Sequence, residues 1–258
     1  MNPAFESYVG IDYSGAETPV SGLAGLRVYQ AGQRTAAQEV RPPCAGKHWT
    51  RKAIAEWLAN TLVERSRTIV GIDHGFSFPL RYFERYELAH DWPAFLDDFQ
   101  LHWPTDDNVY VDFVREGVCG SGAARAGNAH WRRITEVRAR AKSVFHFDVP
   151  GSVAKSTHAG LPWLRFIRQR AGDRVHCWPF DGWRVPPEKS AIVEVYPVLW
   201  SGGFPSAGRT RDQQDAFAAA EWMRRADADG SLTRFLSPEL EPDMRETAEI
   251  EGWILGVA

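Results

Sequence analysis

Three short apolar runs, residues 8–12 (YVGID), 68–73 (TIVGID) and 191–196 (AIVEVY), read as buried strands. Each is too short for a typical helix and is bounded by turn formers or breakers, Ser14 and Gly15 after the first and Pro197 after the third. Residues 26–31 alternate apolar and polar in strand fashion, and residues 37–42 are placed to pair with them through a Gly-containing hairpin. Helical spacing begins after Thr50, a plausible N-cap. Ile54, Trp57, Leu58 and Leu62 share one face, and this helix is predicted to end near 65–67. Further helices are predicted over 92–101, 129–142, 161–170, 211–225 and 244–255.

The order is thus three strands, a helix, a strand, a long segment, a strand and a helix. It describes a mixed α/β sheet with helices on its faces. Residues 76–188 stand apart, with Pro, Trp and Arg in unusual density. They are expected to form a helical insertion between strands 4 and 5 of a single domain spanning 1–258. Five strands in the order 3-2-1-4-5 with this connectivity define an RNase H-like fold, which is the predicted fold class.

Composition narrows the functional classes. With 33 acidic against 30 basic residues the net charge is −3, so the chain is no uniformly basic nucleic-acid coat, although a local basic face is compatible with it. Cys44, Cys119 and Cys177 lie far apart without a CxxC pair, which suggests neither a zinc knuckle nor a disulfide framework but a reducing compartment. No signal peptide is apparent, and no apolar run approaches the roughly 20 residues of a membrane helix. The expectation is a cytoplasmic protein with no membrane partner.

Carboxylates then appear where a core pattern would not place them. Asp12 and Asp73 end two strands in the repeated phrase VGID, Glu194 interrupts AIV-E-VY, and Asp212 and Asp215 share a face at the start of a helix. A turn explains one Asp after a strand. A T-x-x-Q capping box from Thr210 to Gln213 and the helix dipole explain Asp212. Several such acids in one small sheet, with no Lys or Arg in the same strands, call for compensation, because a buried ionised carboxylate is costly. Mg²⁺ or Mn²⁺ with oxygen ligands is the usual compensation. Two ions about 3.5–4 Å apart can activate water and stabilise the leaving oxygen of a phosphodiester. The remaining acids and histidines carry less. Glu56 reads as a surface residue. His74, beside Asp73, reads as a core histidine, with ligation or proton transfer as its functional alternative.

These motifs resemble the domain of unknown function 429 family, described as predicted nucleases of RNase H fold. The matching elements are Gly10-Ile11-Asp12, Gly71-Ile72-Asp73 with Phe76-Ser77-Phe78-Pro79, Glu194-Val195-Tyr196-Pro197, Asp212-Gln213-Gln214-Asp215-Ala216 and Glu251-Gly252-Trp253-Ile254. They span nearly the whole chain. The resemblance implies a metal-dependent nuclease. It gives metal-site roles to Asp12, Asp73 and Asp215, with Asp212 as partner, and places Glu194 in the family's pattern as a further catalytic acid.

From Arg115 to Arg184 there are thirteen Lys or Arg against five Asp or Glu, a net +8 that leaves −11 on the rest of the chain. Such a basic lobe beside an acidic centre suits a DNA or RNA partner, with Arg132, Arg133, Arg138, Arg140 and Lys155 as candidate contacts. Trp131, Trp163, Trp178 and Trp183 lie among these bases, as core residues or as stacking platforms. Residues 151–157 (GSVAKST) depart from the P-loop pattern, so Lys155 and Ser156 belong either to a phosphate contact or to a loop leading into the next helix. Two other readings stay open: an ATP- or phosphate-binding protein of the sugar-kinase-like superfamily, and a catalytically inert nucleic-acid-binding module.

Overall fold

A computed structural model describes residues 3–43, 46–64, 67–116, 125–149 and 151–258, without the side chains of 113, 115 and 116. Its strands are β1 (Ser7–Asp12), β2 (Arg27–Gly32), β3 (Thr35–Glu39), β4 (Thr68–Asp73), β5 (Val175–Cys177) and β6 (Ser190–Glu194). The main helices are α1 (Arg51–Glu64), α2 (Leu80–Arg85), α3 (Trp92–His102), α4 (Ile134–Arg138), α5 (Ala154–Ala171), α6 (Arg211–Ala228), α7 (Leu232–Phe235) and α8 (Pro242–Glu251).

The sheet is mixed and six-stranded, in the order β3-β2-β1-β4-β6-β5. This corrects the five-stranded expectation in both count and order. Val175–Cys177, assigned from sequence to the helical insertion, adds a parallel strand at the edge beside β6. β1 pairs antiparallel with β2 and parallel with β4, and β4 is parallel to β6.

The two faces follow from strand parity. Val9, Ile11, Val70, Ile72 and Ile192 point into a core shared with α1, α3 and α5. Tyr8, Ile69, Ala191 and Val193 point the other way, against Ala216, Ala219, Ala220 and Met223 of α6. On that second face Gly10 has no side chain for a reason. A Cβ there would lie 2.2 Å from the Ala216 carbonyl oxygen and 2.6 Å from the Ala220 nitrogen. The α6 backbone therefore rests directly on β1.

Helix ends differ from the sequence reading where local chemistry decides. Thr210 and Gln213 do form the capping box of α6, the Gln213 amide donating to Thr210 Oγ1 and the Thr210 amide to Gln213 Oε1. The helix predicted over 129–142 shrinks to the five residues of α4, because Arg140 has a φ of 54° that no helix continues through. The helix predicted from 161 starts at Ala154 and runs through Pro162, whose missing N–H leaves the His158 carbonyl free. The Thr105 hydroxyl donates to that carbonyl at 2.5 Å. α8 stops at Glu251; Gly252 has a φ of 80° and Ile254 bridges to Glu194 as a strand would. Cys177 is buried and free, whereas Cys44 and Cys119 lie outside the described residues. No helix among the described residues is long and apolar enough to cross a membrane.

The close approach at Gly10 has a measurable sign. In an ordinary strand Gly→Ala is mildly stabilising. Gly10→Ala is expected to destabilise by about 1–3 kcal/mol, because helix backbone has to move. At Gly71 the added methyl meets side chains rather than helix backbone, Val195 Cγ1 at 2.6 Å and the mobile end of Met223 at 3.0 Å, so Gly71→Ala is expected to cost less. Urea denaturation of both variants checks the ranking, and a Gly10→Ala protein as stable as the parent contradicts the packing.

Candidate functional site

The candidate site forms where the parallel strands β1 and β4 end together. Asp12 is directly opposite Asp73, as Gly10 is opposite Gly71. Parity puts both acids on the α6 face. Because α6 sits on Gly10, its first turns lie over the strand ends, and Asp12, Asp73, Asp212 and Asp215 line one cleft of about 320 Å³. The carboxyl ends of parallel strands are the usual place for ligands in α/β sheets.

The remaining walls are equally local in origin. The turn after β1 is held by the buried Arg51 of α1, which donates to the Ser14 and Glu17 carbonyls. Gly15 in that turn abuts the first turn of α5, where a Cβ would lie 2.2 Å from the Lys155 carbonyl oxygen. Ser14, Ser152 and Ser156 consequently face the acids across the cleft.

Charge in the cleft is poorly balanced. Arg211 is the only Lys or Arg among its lining residues; it stands 3.8 Å from Asp215 with its side chain 80% exposed. Burial, reinforced by Asp73, Asp212 and Asp215, pushes the Asp12 carboxyl up to about 9. Burial, with Asp215 and Glu194, pushes Asp73 up to about 8. Asp215 is also raised, mainly by burial, against the pull of a Ser201 hydrogen bond and of Arg211.

The donors suit a hard divalent cation. All are oxygens, four carboxylates share one exposed arginine, and such sites bind Mg²⁺ or Mn²⁺ rather than zinc. Among the described residues, however, no group of three or more His, Cys, Asp or Glu side chains is arranged to hold a metal ion. The four acids share a cleft without forming a finished ligand set.

Glu194 is not among them. It pairs in register with Ile72, so parity turns it to the opposite face of the sheet from Asp73. There Arg133 grips it with two bonds, Nη2 to Oε1 at 2.6 Å and Nη1 to Oε2 at 2.7 Å, and the Phe76 amide donates to it. Arg133 also bonds Glu136, and Glu251 caps the chain at Leu80 and Ile134. The guanidinium and both glutamates it pairs with are buried, and the pairing holds Arg133 even more firmly protonated than usual. Glu194 is a structural anion that ties the sheet to the insertion.

The same network removes one of the candidate nucleic-acid contacts, Arg133, from the surface. Arg133 is fully buried and presents nothing to a ligand. Arg132 donates to the Glu136 and Ala141 carbonyls, Arg138 to the Ala258 carbonyl, and Lys155 is ion-paired to Asp112 at 2.5 Å. Arg140 remains exposed. Trp178 is a core residue and Trp163 and Trp183 are buried, while Trp131 is partly exposed. Glu56 lies on the exposed face of α1. His74 is buried edge-on against Tyr13, its Nδ1–H donating to the Gly75 carbonyl, and burial lowers it to about 4, so it is neutral at pH 7. Two functional side chains escaped the sequence reading. The i,i+4 spacing to Asp215 signals Arg211; nothing local signals Arg51.

Raised carboxyl pKa values bind more protons in the folded than in the unfolded state. Stability therefore falls as pH rises from the unfolded value near 4 through the folded values of about 8 and 9. Removing one charge should relieve this. Metal-free Asp12→Asn is expected to melt about 2–4 °C above the parent at pH 8, a gain of ~1 kcal/mol, with the difference shrinking at pH 5. Thermal unfolding at the two pH values checks it; an Asn variant less stable at pH 8 contradicts the electrostatics.

Comparison with protein-family models, with curated proteins and with solved structures finds no match to this chain.

Proposed function

We propose that this protein is a divalent-metal-dependent nuclease on an RNase H-like sheet, as the resemblance to the domain of unknown function 429 family implies. The observation that carries the reading is the shared cleft of Asp12, Asp73, Asp212 and Asp215, with carboxyls displaced upward by burial and mutual repulsion and one exposed arginine beside them. Uncompensated acids at the ends of central strands destabilise the fold. Residues that lower stability in this way are characteristic of functional sites.

Asp12 and Asp73 would hold Mg²⁺ or Mn²⁺ between the two strands, with Asp215 and Asp212 completing the oxygen donors from α6. Bound there, such ions supply an acidified water and charge stabilisation for phosphodiester hydrolysis. The chain's own residues do the positioning. Gly10 sets the height of α6 over the strands, and Arg51 fixes the turn that carries Ser14. Ser14 and Ser152 line the cleft with hydroxyls able to meet a phosphate oxygen, whereas Ser156 donates its proton to the Val153 carbonyl. Arg211, loosely held by Asp215, is free to turn toward an anionic substrate.

The test is hydrolysis of end-labelled DNA and RNA oligonucleotides with Mn²⁺ or Mg²⁺. The parent is expected to cleave at least one of them and to stop on chelation. Asp12→Asn and Asp73→Asn are expected to lose roughly 10²–10³-fold in rate, the scale of removing a preorganised electrostatic group. A Glu194→Gln protein, if folded, should retain more activity than either. Failure of the parent to cleave any of these polymers, or an Asp12→Asn protein as active as the parent, refutes the reading.

A further inference from the structure

The nuclease reading requires a place for the phosphate backbone outside the acidic cleft, since four carboxylates repel a polyanion. The Arg-rich segment is the obvious place by charge count, but most of its described cations are already engaged, Arg140 being an exception. Arg125 is paired to Asp98, Lys155 to Asp112, Arg165 to Asp97 and Arg168 to Asp181, while Arg132 and Arg138 are bonded to backbone carbonyls. Asp97, Asp98 and Asp112 come from outside the segment over which the net +8 was counted, so the fold neutralises much of what the sequence segregates.

Free positive charge lies on the other side of the cleft. A groove of about 410 Å³ runs between the β2–β3 edge and the chain leading into α1, lined by Leu26, Arg27, Glu39, Arg41, Lys47 and His48 among others. It adjoins the acidic cleft through the 25–26 turn. Gly25 lines the cleft, with the position of its absent Cβ 3.7 Å from Asp212 Oδ2, and Leu26 lines the groove. In the β1–β2 register Asp12 is opposite Arg27, the first residue of the groove's inner wall.

The groove's one acid is satisfied internally. Glu39 accepts from Arg27 at 2.9 Å through Oε1 and from Gln213, next to Asp212 on α6, at 3.0 Å through Oε2. Arg41 and Lys47 are exposed and have no ion pair with any described residue. The wall beneath them is rigid: Trp49 is buried and its indole donates to the Val40 carbonyl, while the Val40 amide continues the β2–β3 pairing.

We propose that the phosphate backbone of a nucleic-acid strand lies in this groove on Arg41 and Lys47, feeding the adjoining bond into the cleft between Asp12 and Asp212. The inference rests on the nuclease reading for its substrate class. It differs from that reading in its location, on the β2–β3 side of the site rather than on the insertion.

The test uses the full chain carrying Asp12→Asn, so that bound strands are not consumed, with Mn²⁺ present. Fluorescence anisotropy is followed with single-stranded DNA and RNA of the same sequence over a salt series. Adding Arg41→Gln and Lys47→Gln is expected to weaken binding at low salt. It should also flatten the slope of log K against log salt by about 0.7 for each phosphate contact removed. Adding Arg140→Gln on the insertion should leave the slope unchanged. Both groove residues are exposed, so melting temperatures should not change. Preference for one polymer identifies the substrate strand and supports the groove equally. If the Asp12→Asn protein binds and the groove variant keeps its affinity and slope, the groove assignment falls while the nuclease reading stands. If the Asp12→Asn protein binds neither polymer, the reading itself fails and the groove with it.

Discussion

Backbone-to-backbone contact between β1 and α6, possible because residue 10 has no side chain, is the constraint on which the site depends. The Ala216 carbonyl lies where a Gly10 Cβ would be, and the small side chains of Ala219 and Ala220 continue the same close seam. A helix held a methyl group higher would carry Asp212 and Asp215 away from the strand ends. The capping box at Thr210 fixes where α6 begins, so height and register together decide that two helix acids meet two strand acids.

The sheet carries acids in two physically different ways, and strand parity separates them. Glu194, on the face of Ile72, meets Arg133 and becomes part of a buried network that binds the insertion to the core. Removing one partner of such a pair typically costs about 3–5 kcal/mol, which marks it as architecture. Asp12 and Asp73, on the α6 face, meet each other and two more carboxylates. Among the described residues only the exposed Arg211 acts against their burial, and a proton or a divalent ion can complete the neutralisation.

Much of this was legible in the sequence, and the failures have definite causes. The repeated VGID phrase marked both strands and their terminal acids, whose register the structure supplies, and the T-x-x-Q box marked the start of α6. The face of Glu194 was not legible, because its strand is buried along its whole length and shows no alternation; only its register with Ile72 assigns it. The count of basic residues misled because charge along a chain says nothing of acids brought in from elsewhere, as Asp97, Asp98 and Asp112 are. The three-residue β5 is too short to signal itself. The helical pattern over 129–142 was overridden at Arg140 by a left-handed backbone that no local preference announced.

In the proposed function the four aspartates of the cleft bind a divalent cation, their helix and strand donors held together by the β1–α6 contact. A crystal soaked in Mn²⁺ and measured for anomalous scattering tests it most directly. The expected result is an anomalous peak within coordination distance of Asp12 and Asp73 carboxylate oxygens, with Asp215 turned toward it and the Arg133–Glu194 pair intact. An empty cleft at saturating Mn²⁺, or a manganese ion bound by a Glu194 released from Arg133, would contradict it.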